Sequence, residues 1–378
     1  YIIPTLNHGG AEHQLYRLVR GLDRNAFDVT VYCLRSGGPI EPLIAKLGIP
    51  VLHLGRRRKA DVWSVVRLAS WLRRLKPDVV HTWLPTANLW GRLAAIMANC
   101  PTIIASERTV DPARSLTRRL LDRALAYRSA AIIVNAEAVR KSYASATGVP
   151  DKKLIKISNG VDLEYIDETR RISHQWKRQI ASELNLPKDA LIIGNVARVT
   201  RLKGLEDFVS IAAIVCQKVP DARFVIVGGA LYREDLRYLR RIEELSDVAG
   251  LTGKLVITGL RDNPAQYLLG MDVFLQTSVQ EGLPNSVMEA MACGLPVVAT
   301  DVGGTRELMD GASGCLAPAR DVKGLATKVI DLLGRADERE SFGQAAEARM
   351  RSSFSAEKMV DATQQLYLSA LAGDRPAA

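Results

Sequence analysis

The chain has 378 residues, 47% hydrophobic and 24% charged, with a formal net charge of +10. That length exceeds one ordinary core and points to two domains. The composition excludes a disordered chain, and no apolar run reaches the roughly 18–20 residues of a membrane span. Five cysteines at 33, 100, 216, 293 and 315 are scattered without a Cys-x-x-Cys spacing. They argue against a disulfide framework or zinc site and fit a reducing cytoplasm. Residues 1–165 carry 25 Lys and Arg against 13 Asp and Glu, and the remainder 26 against 28. All the excess positive charge therefore lies in the first half, which suggests an anionic partner such as a membrane surface, unless the clusters are simply solvated helix faces.

Tyr1-Ile-Ile-Pro4 reads as mid-strand, so a few N-terminal residues are expected to be missing. Gly9-Gly10-Ala11-Glu12 then opens a helix, where paired glycines permit either close approach of an anion at Gly10 or a plain tight turn. It is not a Gly-x-Gly-x-x-Gly fingerprint, so a nicotinamide site is not supported. Phe27–Cys33, Asp78–His81, Thr102–Ala105 and Ala131–Val134 read as strands. His81 is expected at the carboxyl edge of its strand, facing a site or packed against the core. Ser106-Glu107-Arg108 follows the next strand, and Glu107 either orients a ligand or pairs with Arg108. Basic clusters occur at Arg56-Arg57-Arg58-Lys59, Arg73-Arg74 and Arg114, Arg118, Arg119, Arg123 and Arg128.

Asn159-Gly-Val-Asp162 is a turn signal, and the boundary is expected within about residues 160–187. Leu191–Gly194, Arg223–Val227, Lys254–Thr258, Asp272–Thr277 and Leu295–Thr300 read as a second strand set, with helices such as Gly204–Val219 and Arg233–Glu244 between them. Strands alternating with helices predict parallel, doubly wound sheets, hence two Rossmann-like α/β domains. A final helix, Ala356–Leu371, precedes a polar tail.

Two constellations in the second half carry chemistry. Arg198 and Lys203 lie in the loop between a strand and a helix start. With the helix-start amides they form either a diphosphate site or a pair of surface cations. Downstream, Glu281 and Glu289 are separated by seven residues. A carboxylate accepts hydrogen bonds from adjacent hydroxyls of a sugar ring or ribose. Gly282, Leu283 and Asn285 can offer backbone N–H groups beside Pro284. Ser286-x-x-Glu289 also fits a capping box, which would give Glu289 a purely structural job. Leu260 and Arg261 follow a strand, in a segment that is either a base contact or a strand-end turn.

Arg198-x4-Lys203-Gly204 followed by Glu281-x7-Glu289, with Asn7-His-Gly-Gly-Ala-Glu12, Ser158-Asn-Gly-Val-Asp162 and Val302-Gly-Gly-Thr-Arg-Glu307, resembles the GT4 family of retaining glycosyltransferases over almost the whole chain. The resemblance implies the GT-B fold, two Rossmann-like domains facing across a cleft. Residues 1–165 would bind the acceptor and 166–355 the nucleotide sugar; the helix and tail of 356–378 would return to the first domain. It implies that Arg198 and Lys203 stabilise the departing diphosphate, Glu281 holds the transferred sugar and Glu289 the ribose. It also puts Leu260 and Arg261 near the base, Gly10 towards the donor's phosphate or the acceptor, His81 towards the transferred sugar or the acceptor, and Glu107 and Arg108 on the acceptor side. Many family members have one or two histidines near position 81; where a second might stand, this chain has Trp83. The expected reaction moves a hexose or N-acetylhexosamine from a nucleotide-diphosphate sugar, with UDP favoured, to a glycan or lipid-linked acceptor, in cell-surface polysaccharide synthesis. No cofactor or catalytic metal is expected, because no Asp-x-Asp motif occurs and cations meet the phosphates. A nucleotide-sugar epimerase of the same fold is the alternative. Nucleic acid is not an expected partner. The expected location is the cytoplasm, peripheral to the inner face of the membrane.

Overall fold

The computed structural model describes residues 1–55, 61–111 and 114–373. The Arg56-Arg57-Arg58-Lys59 cluster lies outside the described residues. The chain divides into two compact units, Tyr1–Gly160 with the chain from Ala356 onward, and Val161–Ser355. The division therefore falls at Gly160 and Val161 rather than after residue 165.

The first unit contains β1 (Ile2–Ile3), β2 (Val31–Cys33), β3 (Val51–His53), β4 (Val79–Trp83), β5 (Thr102–Glu107), β6 (Ala131–Val134) and β7 (Leu154–Lys156). They form one parallel sheet in the order β3-β2-β1-β4-β5-β6-β7. Successive strand residues face opposite sides, so both faces must be covered and the strands read as unbroken apolar runs. Ile3, Val31, Ile104 and Ile133 pack with Leu15, Leu18 and, from the last helix (Ala356–Ala372), Met359, Leu366 and Tyr367. Ile2, Tyr32, Val80 and Ile103 meet Leu68, Leu72 and Ala94 on the other face.

The second unit contains β8 (Leu191–Val196), β9 (Ala222–Val227), β10 (Leu255–Ile257), β11 (Val273–Gln276), β12 (Val297–Thr300) and β13 (Cys315–Ala317). All pair in parallel, in the order β10-β9-β8-β11-β12-β13. Phe224, Ile226, Val273, Leu275 and Val298 pack against Phe208, Ile211, Val215, Ile242, Leu325 and Val329.

Two strand expectations need correction. Of Phe27–Cys33, Val31–Cys33 alone is paired, through register with β1 and β3. β4 runs beyond His81, because Thr82 and Trp83 continue the ladder opposite Ala105 and Ser106.

Candidate active site

In the second sheet β8 and β11 are neighbours although β9 and β10 lie between them in sequence. The chain leaves β8 towards β9 and leaves β11 towards β12, so the two loops diverge at their carboxyl ends. Such a switch point is where open α/β sheets bind ligands.

The loop after β8 tightens into a single turn, Arg201–Lys203, before the helix Leu205–Lys218. Gly204 joins them at φ +59°, and a Cβ there would stand 2.1 Å from the Thr277 carbonyl oxygen. Glycine is what lets the two loops touch. Val279 N–H donates to Leu202 O at 2.9 Å, and Thr277 Oγ1 to Lys203 O at 3.1 Å. This docking brings Lys203 Nζ to 2.6 Å from Glu281 Oε1. Ser278 Oγ donates to the same oxygen at 2.6 Å, and Gln276 Nε2 approaches it at 3.4 Å. The second Glu281 oxygen accepts no hydrogen bond from the described residues.

The segment after β12 supports this loop from behind. Thr300 Oγ1 lies 2.6 Å from Ser278 O and 3.2 Å from Gln276 Oε1, and Gly304 N–H donates to Gly282 O at 2.6 Å. Gly303, at φ +57°, leaves room for Glu281 O; a Cβ would meet it at 2.2 Å. Sequence reasoning noted the Val302–Glu307 stretch without assigning it a task, and it overlooked Gln276, Ser278 and Thr300. Polar side chains at the ends of apolar strands were the signal available for Gln276 and Thr300.

Gly282, Leu283 and Pro284 are buried, and the helix Asn285–Ala292 begins directly after them. Its N-cap is Pro284, not Ser286, so the capping box expected as an alternative for Glu289 does not form. Glu289 stands half-buried in the second turn. The first-turn amides of this helix are the kind that bind anions.

Arg198 is exposed, 3.6 Å by Nε from Asp235 and 5.5 Å above the Tyr232 ring. An exposed contact of that length holds it weakly. Leu260 is exposed next to Gly229, whereas Arg261 pairs with Glu183 at 3.2 Å and lies over Tyr267.

At the carboxyl edge of the first sheet, β1 and β4 form the corresponding switch point. Gly10 is the exposed first residue of the helix Gly10–Gly21. His81 is a correction: it lies in the middle of β4 and is 2% exposed. Nδ1 is 2.6 Å from Tyr367 Oη and Nε2 2.8 Å from Ser106 Oγ, so both nitrogens serve the fold. Burial holds its pKa well below the usual histidine value, helped by Arg108. Trp83, fully buried, ends the strand instead.

Glu107 is a second correction. It is buried beside Arg114, 3.0 Å away, within a cluster in which Asp122 binds Arg92, Arg114 and Arg118. Burial pushes its carboxyl upward while the Arg114 guanidinium pulls it back. Arg108, by contrast, is buried without a carboxylate among the described residues. It donates to Asn159 Oδ1 at 2.8 Å and lies 4.2 Å from the centre of the Trp83 ring. Burial lowers its pKa to about 9. Arg108, Trp83, His81 and Ser106 line a cavity of about 10 Å³, room for one water.

Residues 8–165 match the family described as Glycosyltransferase Family 4, and residues 187–335 that described as Glycosyl transferases group 1. The chain is 26% identical over 299 residues to the UDP-Gal:alpha-D-GlcNAc-diphosphoundecaprenol alpha-1,3-galactosyltransferase of Escherichia coli, covering 76% of this chain and 75% of that protein. It is 24% identical to the lipopolysaccharide core biosynthesis glycosyltransferase LpsE of Rhizobium meliloti, over 96% of both. Among solved structures, Anabaena HepE in complex with UDP-glucose superimposes with a TM-score of 0.83 at 22% identity, covering 97% of this chain and 98% of that one. The two parallel α/β sheets are those of the GT-B fold, and the chain belongs to glycosyltransferase family 4.

Proposed function

We propose that this glycosyltransferase moves a hexose or N-acetylhexosamine from a UDP-sugar to a glycan or lipid-linked acceptor in cell-surface polysaccharide synthesis, retaining the anomeric configuration. The observation that carries the reading is the 2.6 Å contact between Lys203 and Glu281 at the β8–β11 switch point. A cation for phosphate and a carboxylate for hydroxyls stand side by side there, next to a helix start. The E. coli relative is named for UDP-Gal and a diphosphoundecaprenol acceptor, and HepE is described with UDP-glucose.

In this reading Lys203, Arg198 and the amides opening the helix Asn285–Ala292 stabilise the departing diphosphate, where negative charge develops most. Glu281 turns its unoccupied oxygen to the sugar hydroxyls. It is not assigned as a covalent nucleophile, since Lys203 and Ser278 already draw on its other oxygen. Glu289 takes the ribose, Gly282, Leu283 and Asn285 present backbone amides beside Pro284, and Leu260 and Arg261 flank the base. In the first unit Gly10 offers a helix start to the donor, and Arg108 supplies an uncompensated cation for the acceptor. His81 and Glu107 are left to the fold. Two side-chain cations and helix amides meet the diphosphate charge without a divalent metal. The enzyme works in the cytoplasm, at the inner face of the membrane.

A panel of nucleotide sugars, incubated in EDTA with a lipid extract as acceptor and followed by NMR, tests the proposal. One UDP-sugar should be consumed with an α-linked product. An inverted product, activity lost in EDTA, or an epimerised nucleotide sugar formed without acceptor would contradict it.

A further inference from the structure

The helix Leu116–Tyr127 in the first unit is built inside out. Its one acidic residue, Asp122, is fully buried and receives Arg92 and Arg114 at 2.7 Å and Arg118 at 2.8 Å. Leu125 and Ala126 complete the inward face. The outward face, normally polar on a surface helix, instead carries Leu116, Leu120 and Tyr127, which are 71%, 59% and 65% exposed, with Leu121 beside them. At 3.6 residues per turn, Leu116, Leu120 and Tyr127 fall in one row, bordered on one side by Arg119 and Arg123; Arg128 closes the carboxyl end.

These three arginines have no carboxylate partner among the described residues. Arg119 is turned by its Nε to the Arg114 carbonyl at 2.8 Å. Glu137, which opens the following helix, and Asp151, in the short turn after it, are held by their own neighbour, both binding Arg140. An apolar stripe framed by unneutralised cations is the pattern of an interfacial helix: leucines enter the acyl boundary while arginines stay among the headgroups.

We infer that the outward face of Leu116–Tyr127 docks this protein on an anionic lipid bilayer. The inference gives a place to the lipid-linked acceptor of the proposed function and rests on that reading for its biological meaning, though its test does not. Charge decides the occupant. A second copy seated on the same face would bring Arg119, Arg123 and Arg128 against one another, whereas anionic headgroups complement them. The excess of Lys and Arg over Asp and Glu in residues 1–165 acts in the same direction.

Sedimentation of the full chain with vesicles of phosphatidylcholine, or of equal parts phosphatidylcholine and phosphatidylglycerol, tests this. The wild type should pellet with the anionic vesicles and stay in solution with the neutral ones. Leu116→Ser with Leu120→Ser should weaken the association at least tenfold. Each of Arg119→Gln, Arg123→Gln and Arg128→Gln should weaken it about fivefold. These side chains are outside the donor site, so UDP binding measured in the same samples should be unchanged. Binding indifferent to lipid charge, wild-type association in the leucine variant, or a dimer that the leucine variant dissolves would each overturn the docking assignment. Vesicle binding without UDP binding would instead overturn the function and leave the docking face standing.

Discussion

Lys203 and Glu281 neutralise each other at 2.6 Å, and this has a direct consequence for ligand binding. In the proposed reading a diphosphate draws Lys203 away from Glu281, so the lysine is positioned in advance but partly compensated, and Glu281 is released towards the sugar as the phosphate arrives. His81 illustrates the opposite case, a titratable group used by the fold. Buried between Tyr367 and Ser106, it stays neutral in the folded chain. The unfolded chain protonates it below the ordinary value of 6.5. The unfolded state thus binds more protons below that pH, and stability falls as pH drops towards the depressed folded value. The slope is at most about 1.4 kcal/mol per pH unit. Urea unfolding at pH of about 7.5 and 5.5 should show this loss in the wild type and a smaller loss in His81→Gln. Equal losses in the two proteins would refute the assignment.

Elements differ in how legible they were. The central strands are unbroken apolar runs, and their alternation with helices was enough to read two parallel sheets. The edge strands β3, β7 and β13, three residues each, went unread, whereas the equally short edge strand β10 was visible within Lys254–Thr258. That Lys203 and Glu281 belong to one place was legible because the spacing of their motifs along the chain was informative. Thr300 and Gly303 were not, because they reach the Glu281 loop through strand order, which sequence distance does not encode; Gln276 and Ser278, five and three residues before Glu281, were passed over as the end of an apolar strand. The same limit explains His81: whether a residue ends a strand depends on its neighbour's register, here Ser106 opposite Trp83. Glu289 shows the converse, a local motif that matches a capping box while the helix starts two residues earlier. The loop after β12 offers a test at this scale. Gly303→Ala places a Cβ against the Glu281 carbonyl at a positive φ. It should cost about 1–3 kcal/mol in urea unfolding and lower transfer by displacing Glu281. Wild-type turnover in a folded Gly303→Ala protein would argue against a supporting role for this loop.

For the whole molecule, charge and fold divide the work. The second unit, close to neutral, carries the paired loops of the proposed donor site, and the first carries the excess of arginine, the buried Arg108 and the apolar face of Leu116–Tyr127. No helix among the described residues is long and apolar enough to cross a membrane. The central claim is that Lys203 serves the diphosphate and Glu281 the sugar, each restraining the other until the donor binds. Calorimetric titration of UDP into the wild type, Lys203→Ala and Glu281→Gln, with turnover of the preferred UDP-sugar measured alongside, tests it most directly. Lys203→Ala should weaken UDP binding by roughly 10–100-fold, the worth of one charged hydrogen bond. Glu281→Gln should bind UDP at least as tightly as the wild type, because its lysine is freed, yet lose transfer by about 100-fold or more. UDP binding weakened equally in both variants, or full turnover in Glu281→Gln, would contradict the account.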